Sequence, residues 1–236
     1  MFPVDVVYTW VDGNNPEHQQ KLAEVSGEKA YCRFANNNEL FYSLSSIYQH
    51  APWVRKIFIV VADYQQLALE GLPSALTDKI VRVAHSQIMP EEALPSFSSR
   101  AIEASLYKIP DLSEHFIYFN DDMFFGSKVS SSDFFSAAGE AYCLLDLRHL
   151  ACWRWNLLAM IFPRDYSYMQ ARKLIYRQHK GKFFKFCLPY HVALHQCYPC
   201  KKSLFESMYA KPKLHKALNA AVFSRLRNYK TVIPVA

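Results

Sequence analysis

No stretch of this 236-residue sequence approaches the about 18 uncharged apolar residues that a membrane-spanning helix needs; the nearest, residues 157–162, is far too short. The start of the chain lacks a basic flank, and Asp5 breaks its apolar run, so it does not read as a secretory leader. The expectation is a cytoplasmic protein. Internal repeats, low-complexity tracts and clean linkers are also missing, which leaves no demand for a second domain. Six cysteines (Cys32, Cys143, Cys152, Cys187, Cys197 and Cys200) form no framework, as expected of reduced thiols. Cys197 and Cys200 form a Cys-x-x-Cys preceded by His191 and His195, but a zinc site would want a second pair. Two thiols near a turn at Pro199 is the favoured reading.

Acid is nearly absent from the last third. Up to Asp165 there are 13 Lys or Arg against 20 Asp or Glu, whereas residues 166–236 hold 14 basic residues and Glu206 alone as an acid. This polarity hides inside a net charge of +6. Such a segment suits nucleic acid, an anionic membrane surface or a phosphorylated substrate, or it is simply a solvated basic face. Nucleic acid ranks last, because no reading motif accompanies the charge.

What is present is a globular composition, with 51% hydrophobic and 20% charged residues, enough to bury one α/β core. Residues 4–11 are apolar and β-branched and end in Asp12-Gly13-Asn14-Asn15-Pro16, a strand followed by a turn. From Asn38, the positions Leu40, Phe41, Leu44, Ile47 and Tyr48 follow helical spacing until Pro52. Residues 56–63 and 80–84 read as further strands, and residues 101–106 as a helix before Pro110. His115-Phe-Ile-Tyr-Phe-Asn120 then reads as a buried central strand. This alternation predicts an α/β fold with a mostly parallel, covered sheet. Past residue 136 the pattern loosens into expected helices at 168–178, 201–209 and 214–226. The expectation is therefore a single domain over residues 1–236, with a sheet core at 1–135 and a basic, helix-rich subregion at 136–236.

Carboxylates stand at three strand ends: Asp12, Asp63, and Asp121 with Asp122. Ligands of open α/β sheets bind beyond the strands' carboxyl ends, and paired Asp side chains suit Mg²⁺ or Mn²⁺, hard ions that leave positions for phosphate oxygens. Parallel strands would bring Asp12 to face Asp121 across a crevice. Asp-Asp and Asp-Gly are equally ordinary turn or N-cap signals. Composition and spacing lead as far as a phosphate- or nucleotide-handling α/β protein.

The literal residues lead further. Asp5-Val-Val-Tyr-Thr-Trp-Val-Asp-Gly13 resembles the opening motif of the Stealth family of sugar-1-phosphate transferases, from bacterial capsule synthesis and from animal lysosomal-enzyme modification. Arg33-Phe34, Asn37-Asn38-Glu39-Leu40, Tyr42-Ser43-Leu44, Ala51-Pro52-Trp53-Val54-Arg55, Leu94-Pro95-Ser96-Phe97-Ser98-Ser99-Arg100-Ala101-Ile102-Glu103 and Phe116 to Gly126 resemble its long second region, in order. Ala193-Leu194-His195-Gln196 resembles the histidine segment of the third, and Phe223-Ser-Arg-Leu-Arg227 the arginine-bearing stretch, where Arg225 competes with Arg227. The fourth region, a late strand with an Asn-Asp pair, has no counterpart before Ala236.

The resemblance implies a GT-A or Rossmann-like fold and transfer of a hexose-1-phosphate from a UDP-sugar to an acceptor sugar hydroxyl. The products are a phosphodiester-linked polysaccharide and UMP. It implies Asp12, Asp121 and Asp122 as metal or catalytic carboxylates, Asp121 and Asp122 holding Mg²⁺ or Mn²⁺, and His195 as the base for the acceptor hydroxyl. It also implies Arg227 as a phosphate clamp and Arg100, Asn120, Asn38 and Glu39 as substrate-binding neighbours. Bland alternatives stand beside these: His195 as a paired structural residue, Arg100 and Glu103 as an intrahelical ion pair, and Asn38 and Glu39 as capping groups. Expected partners are the UDP-sugar, an oligosaccharide or polysaccharide acceptor, and the inner face of the cell membrane or its capsule-assembly proteins. The competing functions are a metal-dependent glycosyltransferase releasing UDP and a module that only binds sugar nucleotide or polysaccharide.

Overall fold

Four apolar runs form the parallel strands β1 (Val4–Thr9), β2 (Ile57–Val61), β3 (Ile80–Ala84) and β4 (His115–Asn120). They come from a computed structural model that describes residues 2–26, 36–142, 145–149, 189–193 and 197–227. All five residues of β2 are buried, as a strand covered on both faces requires. The sheet order is β3-β2-β1-β4, with a fifth strand, β7 (Tyr198–Lys201), added antiparallel to β4 at the edge. β1 pairs with β4 from Val4 opposite His115 to Thr9 opposite Asn120. The chain winds outward from β1 to β3 and then returns to β1's other side with β4. That reversal makes the carboxyl ends of β1 and β4 the topological switch point, where ligands of such sheets bind.

Among the described residues the helices are α1 (Pro16–Ser26), α2 (Glu39–His50), α3 (Ser74–Thr77), α4 (Ser99–Glu103), α5 (Lys202–Tyr209) and α6 (Pro212–Val222). Strand alternation sorts the core into two layers. Val7, Phe58, Val60, Phe116 and Tyr118 pack against Ala101 and Ile102 of α4, Phe205 of α5, and Leu218 and Val222 of α6. On the opposite face Val6, Tyr8, Ile57, Ile59, Ile117 and Phe119 meet Leu40, Leu44 and Ile47 of α2, together with Phe134 and Phe135. Each such fully buried aliphatic or aromatic side chain contributes about 1.5–3 kcal/mol over its exposed state.

At the amino end of β1, Asp5 is fully buried and gripped by Arg55, with Nε to Oδ1 at 2.8 Å and Nη2 to Oδ2 at 2.7 Å. The backbone N–H groups of Ser113 and Lys56 also donate to it, at 2.7 and 3.2 Å. The residue that interrupts the apolar start thus ties together the loops before β2 and β4.

Three expectations change. The turn at Asp12–Pro16 opens directly into α1: Asn15 Oδ1 accepts from His18 N at 3.0 Å and Pro16 takes the first helical position, an N-cap and N1 pair. Pro199 lies within β7 and not at a turn, tolerated because β7 is an edge strand with one side unpaired among the described residues. The region beyond residue 136 also contributes strands. Besides β7, β5 (Leu145–His149) pairs antiparallel with β6 (Pro189–Ala193). The helix expected at 168–178 falls outside the described residues, whereas α5 and α6 match the expected 201–209 and 214–226 closely.

Candidate active site

Thr9 and Asn120 close the β1–β4 ladder, so the chain after each emerges at the switch point. The Asn120 carbonyl accepts from Met123 N at 3.2 Å, which makes Asn120 to Met123 a β-turn with Asp121 and Asp122 as its two central residues. Both carboxylates are thereby presented at the sheet's edge by one tight turn. Asp121 is partly buried and Asp122 exposed. Burial, reinforced by the charges of Asp122 and Glu39, pushes the Asp121 carboxyl up to about 6.

Glu39 belongs to the first turn of α2, the helix that flanks this β-turn. Its carboxylate accepts from the Asn37 backbone N–H at 2.7 Å and side-chain amide at 2.9 Å, bonds that lower its pKa and keep it charged beside Asp121. Asn38 acts otherwise than as a side-chain cap. It adopts φ 64°, a left-handed conformation that Asn tolerates, and makes no side-chain cap bond. Three neighbouring acidic groups therefore leave a local excess of negative charge, which a divalent ion would neutralise. Among the described residues no three His, Cys, Asp or Glu side chains are grouped so as to hold a metal ion. An open pair of oxygen donors is what an ion shared with substrate phosphates uses, and Asp121 and Asp122 are side chains that could hold one.

The other sheet face brings a second polar group to the same edge. The Tyr118 hydroxyl lies 2.8 Å from Thr9 Oγ1, 3.0 Å from Asn120 Oδ1 and 3.4 Å from Glu103 Oε1. Glu103 is buried, and its Oε2 finds no hydrogen-bond partner among the described residues. Burial raises its pKa to about 7, against the lowering influence of Arg100, the Tyr118 hydroxyl and Arg227. Arg100 is itself only 4% exposed, one helical turn from Glu103, and near enough for its charge to act on that carboxyl. Arg227 is near enough for its charge to act on Glu103, whereas the Arg225 guanidinium donates to the Glu92 carbonyl at 3.1 Å.

Asp12 reaches the same edge but on its β2 side. Buried Gln65 clamps its backbone, accepting from Asp12 N at 3.3 Å and donating to Asp12 O at 3.0 Å, and Asp12 Oδ1 accepts from Asn14 N at 3.0 Å. The Asp12 carboxylate thus takes part in the turn, and among the described residues it forms no single group with Asp121 and Asp122. Asp63 holds the segment after β3, accepting from the hydroxyl and amide of Ser86. His195 lies outside the described residues. Cys200 on β7 and Cys197, the residue just before that strand, face opposite layers of the core.

Two family models match the chain: Stealth protein CR1, conserved region 1, over residues 2–30, and Stealth protein CR2, conserved region 2, over residues 33–143. The chain belongs to the Stealth family. Among similar proteins, a capsular polysaccharide phosphotransferase of Neisseria meningitidis serogroup B is 44% identical over 150 residues, covering 59% of this chain and 39% of that protein. One from Haemophilus influenzae is 36% identical over 216 residues, covering 88% and 57%. An exopolysaccharide phosphotransferase of Streptomyces coelicolor is 44% identical over 150 residues, covering 59% and 26%. The chain thus spans between about a quarter and somewhat over half of these relatives' lengths.

The first Stealth region carries β1, the Asp12 turn and α1; the second carries α2 through β4 and the Asp121–Asp122 turn. Both sides of the switch point therefore lie within matched sequence, while Arg227 and His195 lie beyond it. Sequence reasoning missed Tyr118, the polar member of the apolar run from Phe116 to Phe119, and saw Glu103 only as a helical ion-pair partner. The available signal was a lone carboxylate in Ala101-Ile102-Glu103-Ala104, an apolar setting in which a charged group needs a reason.

Proposed function

We propose that this Stealth chain transfers a hexose-1-phosphate from a UDP-sugar to a hydroxyl of a growing oligosaccharide or polysaccharide, forming a phosphodiester and releasing UMP. The observation that carries the reading is the acidic β-turn at the switch point, where the crowded charge of Asp121, Asp122 and Glu39 calls for a cation. The printed names of the relatives, capsular and exopolysaccharide phosphotransferases, point to the same polymer chemistry.

Phosphoryl transfer needs in-line positioning and charge neutralisation more than covalent help from protein. Asp121 and Asp122 would hold Mg²⁺ or Mn²⁺, which when bound neutralises charge on the donor's phosphate oxygens. Arg100 and Arg227, whose charges both act on Glu103, would bind the donor's remaining anionic oxygens. Asn120 would offer its amide to the donor, and Glu39 and Asn38 would border the same opening. His195 would take the acceptor hydroxyl's proton. Glu103, half-protonated near neutral pH, would adjust the charge felt by the arginines. The exposed Lys211, Lys213, Lys216 and Arg225 suit an anionic acceptor or the inner face of an anionic membrane. No helix among the described residues is long and apolar enough to cross a membrane.

The test is incubation of the purified protein with UDP-hexose, oligosaccharide acceptor and Mg²⁺ or Mn²⁺, followed by nucleotide analysis. UMP with acceptor-bound phosphate is the expected product. UDP in its place would establish glycosyl transfer, and substrate binding with no nucleotide release would leave a binding module. Asp121→Asn and Asp122→Asn should each lower turnover at least about 100-fold while the fold persists; full turnover in either overturns the metal assignment.

A further inference from the structure

Helix α2 buries a stripe of Leu40, Leu44 and Ile47, yet a serine, Ser43, stands in the middle of that stripe with no exposed surface. A buried hydroxyl left unpaired costs about 1–3 kcal/mol. Helical serines commonly satisfy themselves on their own helix, and the two that follow do so: Ser45 Oγ donates to the Phe41 carbonyl at 2.8 Å and Ser46 Oγ to the Ser43 carbonyl at 2.7 Å. Ser43 reaches off the helix in two directions. Its Oγ donates to the Met123 carbonyl at 2.5 Å and lies 2.6 Å from the hydroxyl of Tyr8, a wholly buried residue of β1.

The direction of this chain is fixed by chemistry. A carbonyl can only accept, and Ser43 has one proton, so that proton goes to Met123 and the Tyr8 hydroxyl donates to Ser43. Met123 is the last residue of the turn that presents Asp121 and Asp122. Two residues on, Phe125 N donates to Ser46 Oγ at 3.1 Å. The segment after the two carboxylates is thus fastened to α2 at alternate residues, by serines one helical turn apart, and through Tyr8 to the strand on the other side of the switch point.

We propose that Ser43 is the positioning residue of the Asp121–Asp122 turn, relaying its orientation from Tyr8 of β1 and thereby setting the carboxylate geometry offered to the divalent ion. This role rests on the metal reading given above. Replacing Ser43 by alanine removes both the donor to Met123 and the acceptor of Tyr8. Replacing Tyr8 by phenylalanine keeps the ring and the Ser43–Met123 bond and removes only the far end of the relay.

The test is Mn²⁺ binding to the full chain, followed by the loss of the free-ion EPR signal, for wild type, Ser43→Ala, Ser43→Thr, Tyr8→Phe and Asp121→Asn at a temperature where circular dichroism shows all of them folded. Ser43→Ala should weaken Mn²⁺ binding about 10-fold or more, the scale on which outer partners tune a metal site, with Tyr8→Phe weaker in effect and Ser43→Thr restoring affinity. Amide exchange should quicken in residues 121–126 of Ser43→Ala while β2 stays as protected as in wild type. Should Asp121→Asn lose Mn²⁺ binding while Ser43→Ala and Tyr8→Phe both keep wild-type affinity, the relay is wrong and the metal assignment stands. A wild-type protein that binds no Mn²⁺ overturns the metal assignment and, with it, the role of Ser43.

Discussion

Thr9 and Asn120 stand opposite one another as the final pair of the β1–β4 ladder, 111 positions apart in a chain whose strand order reverses between them. Their side chains meet through the Tyr118 hydroxyl, 2.8 Å from one and 3.0 Å from the other. The acidic turn therefore starts from a strand end held by both a ladder pair and a side-chain bridge, the kind of support that a site needs if it is to hold an ion and a phosphate in fixed geometry.

Stability should depend on pH through Glu103. Its folded-state carboxyl is raised to about 7 from an ordinary 4.5, so the folded chain holds that proton more tightly than the unfolded one. The contribution is fully present below about 4.5 and is lost as pH rises through about 7, amounting to about 3 kcal/mol. Urea unfolding of wild type and Glu103→Gln at pH 4.5, 6 and 8 should show the difference moving in the variant's favour with rising pH. A constant difference contradicts the burial argument.

Asp5→Ala should destabilise the fold by about 3–5 kcal/mol, because the Arg55 guanidinium and the backbone N–H of Ser113 lose a buried acceptor together. The same substitution is remote from the acidic turn, at the other end of β1. Thermal melting checks the first statement, and Mn²⁺ affinity of the folded fraction, expected to be unchanged, checks the second.

Gly139→Ala should cost about 1–3 kcal/mol. Gly139 has φ +79°, and a Cβ there would lie 2.8 Å from Nε2 of His115, whose ring is stacked on Phe2 at 3.9 Å and donates to the Gly139 carbonyl at 2.9 Å. The ring has no room to retreat. A melting temperature equal to wild type would show that this loop yields instead.

Oxidation should not join Cys197 to Cys200. Cys200 lies within β7 and Cys197 just before its first residue, so extended chain of about 3.3 Å per residue holds their Cα atoms beyond the roughly 7 Å limit of a disulfide, and their side chains enter opposite core layers. Mass spectrometry of the native protein after diamide treatment should recover both without a mutual crosslink.

The strands at 57–61, 80–84 and 115–120 and the helix at 39–50 were legible because burial imposes a local period, of two or of 3.6 residues, that survives in the bare order of side chains. The ordered motifs from Asp5 to Gly126 likewise pointed to the Stealth family and to Asp121 and Asp122. Strand β7 was not legible: a four-residue segment containing Pro199 carries too little pattern, and it is a strand only because β4, some 80 positions earlier, offers an edge. For the same reason Asp12 and Asp121 looked like equals. Each is an aspartate after a strand, but Gln65 draws the first to one side and α2 flanks the second.

Local order thus determined which segments would be strands and helices, the reversal-prone α/β class, and which carboxylates end the strands. Only tertiary structure decided which of those acids repel each other, that Glu103 is buried with an oxygen unpaired among the described residues, and that Ser43 reaches past its own helix to Met123 and Tyr8. Periodicity is a property of neighbours along the chain, whereas charge crowding, desolvation and hydrogen-bond partnership are properties of neighbours in space.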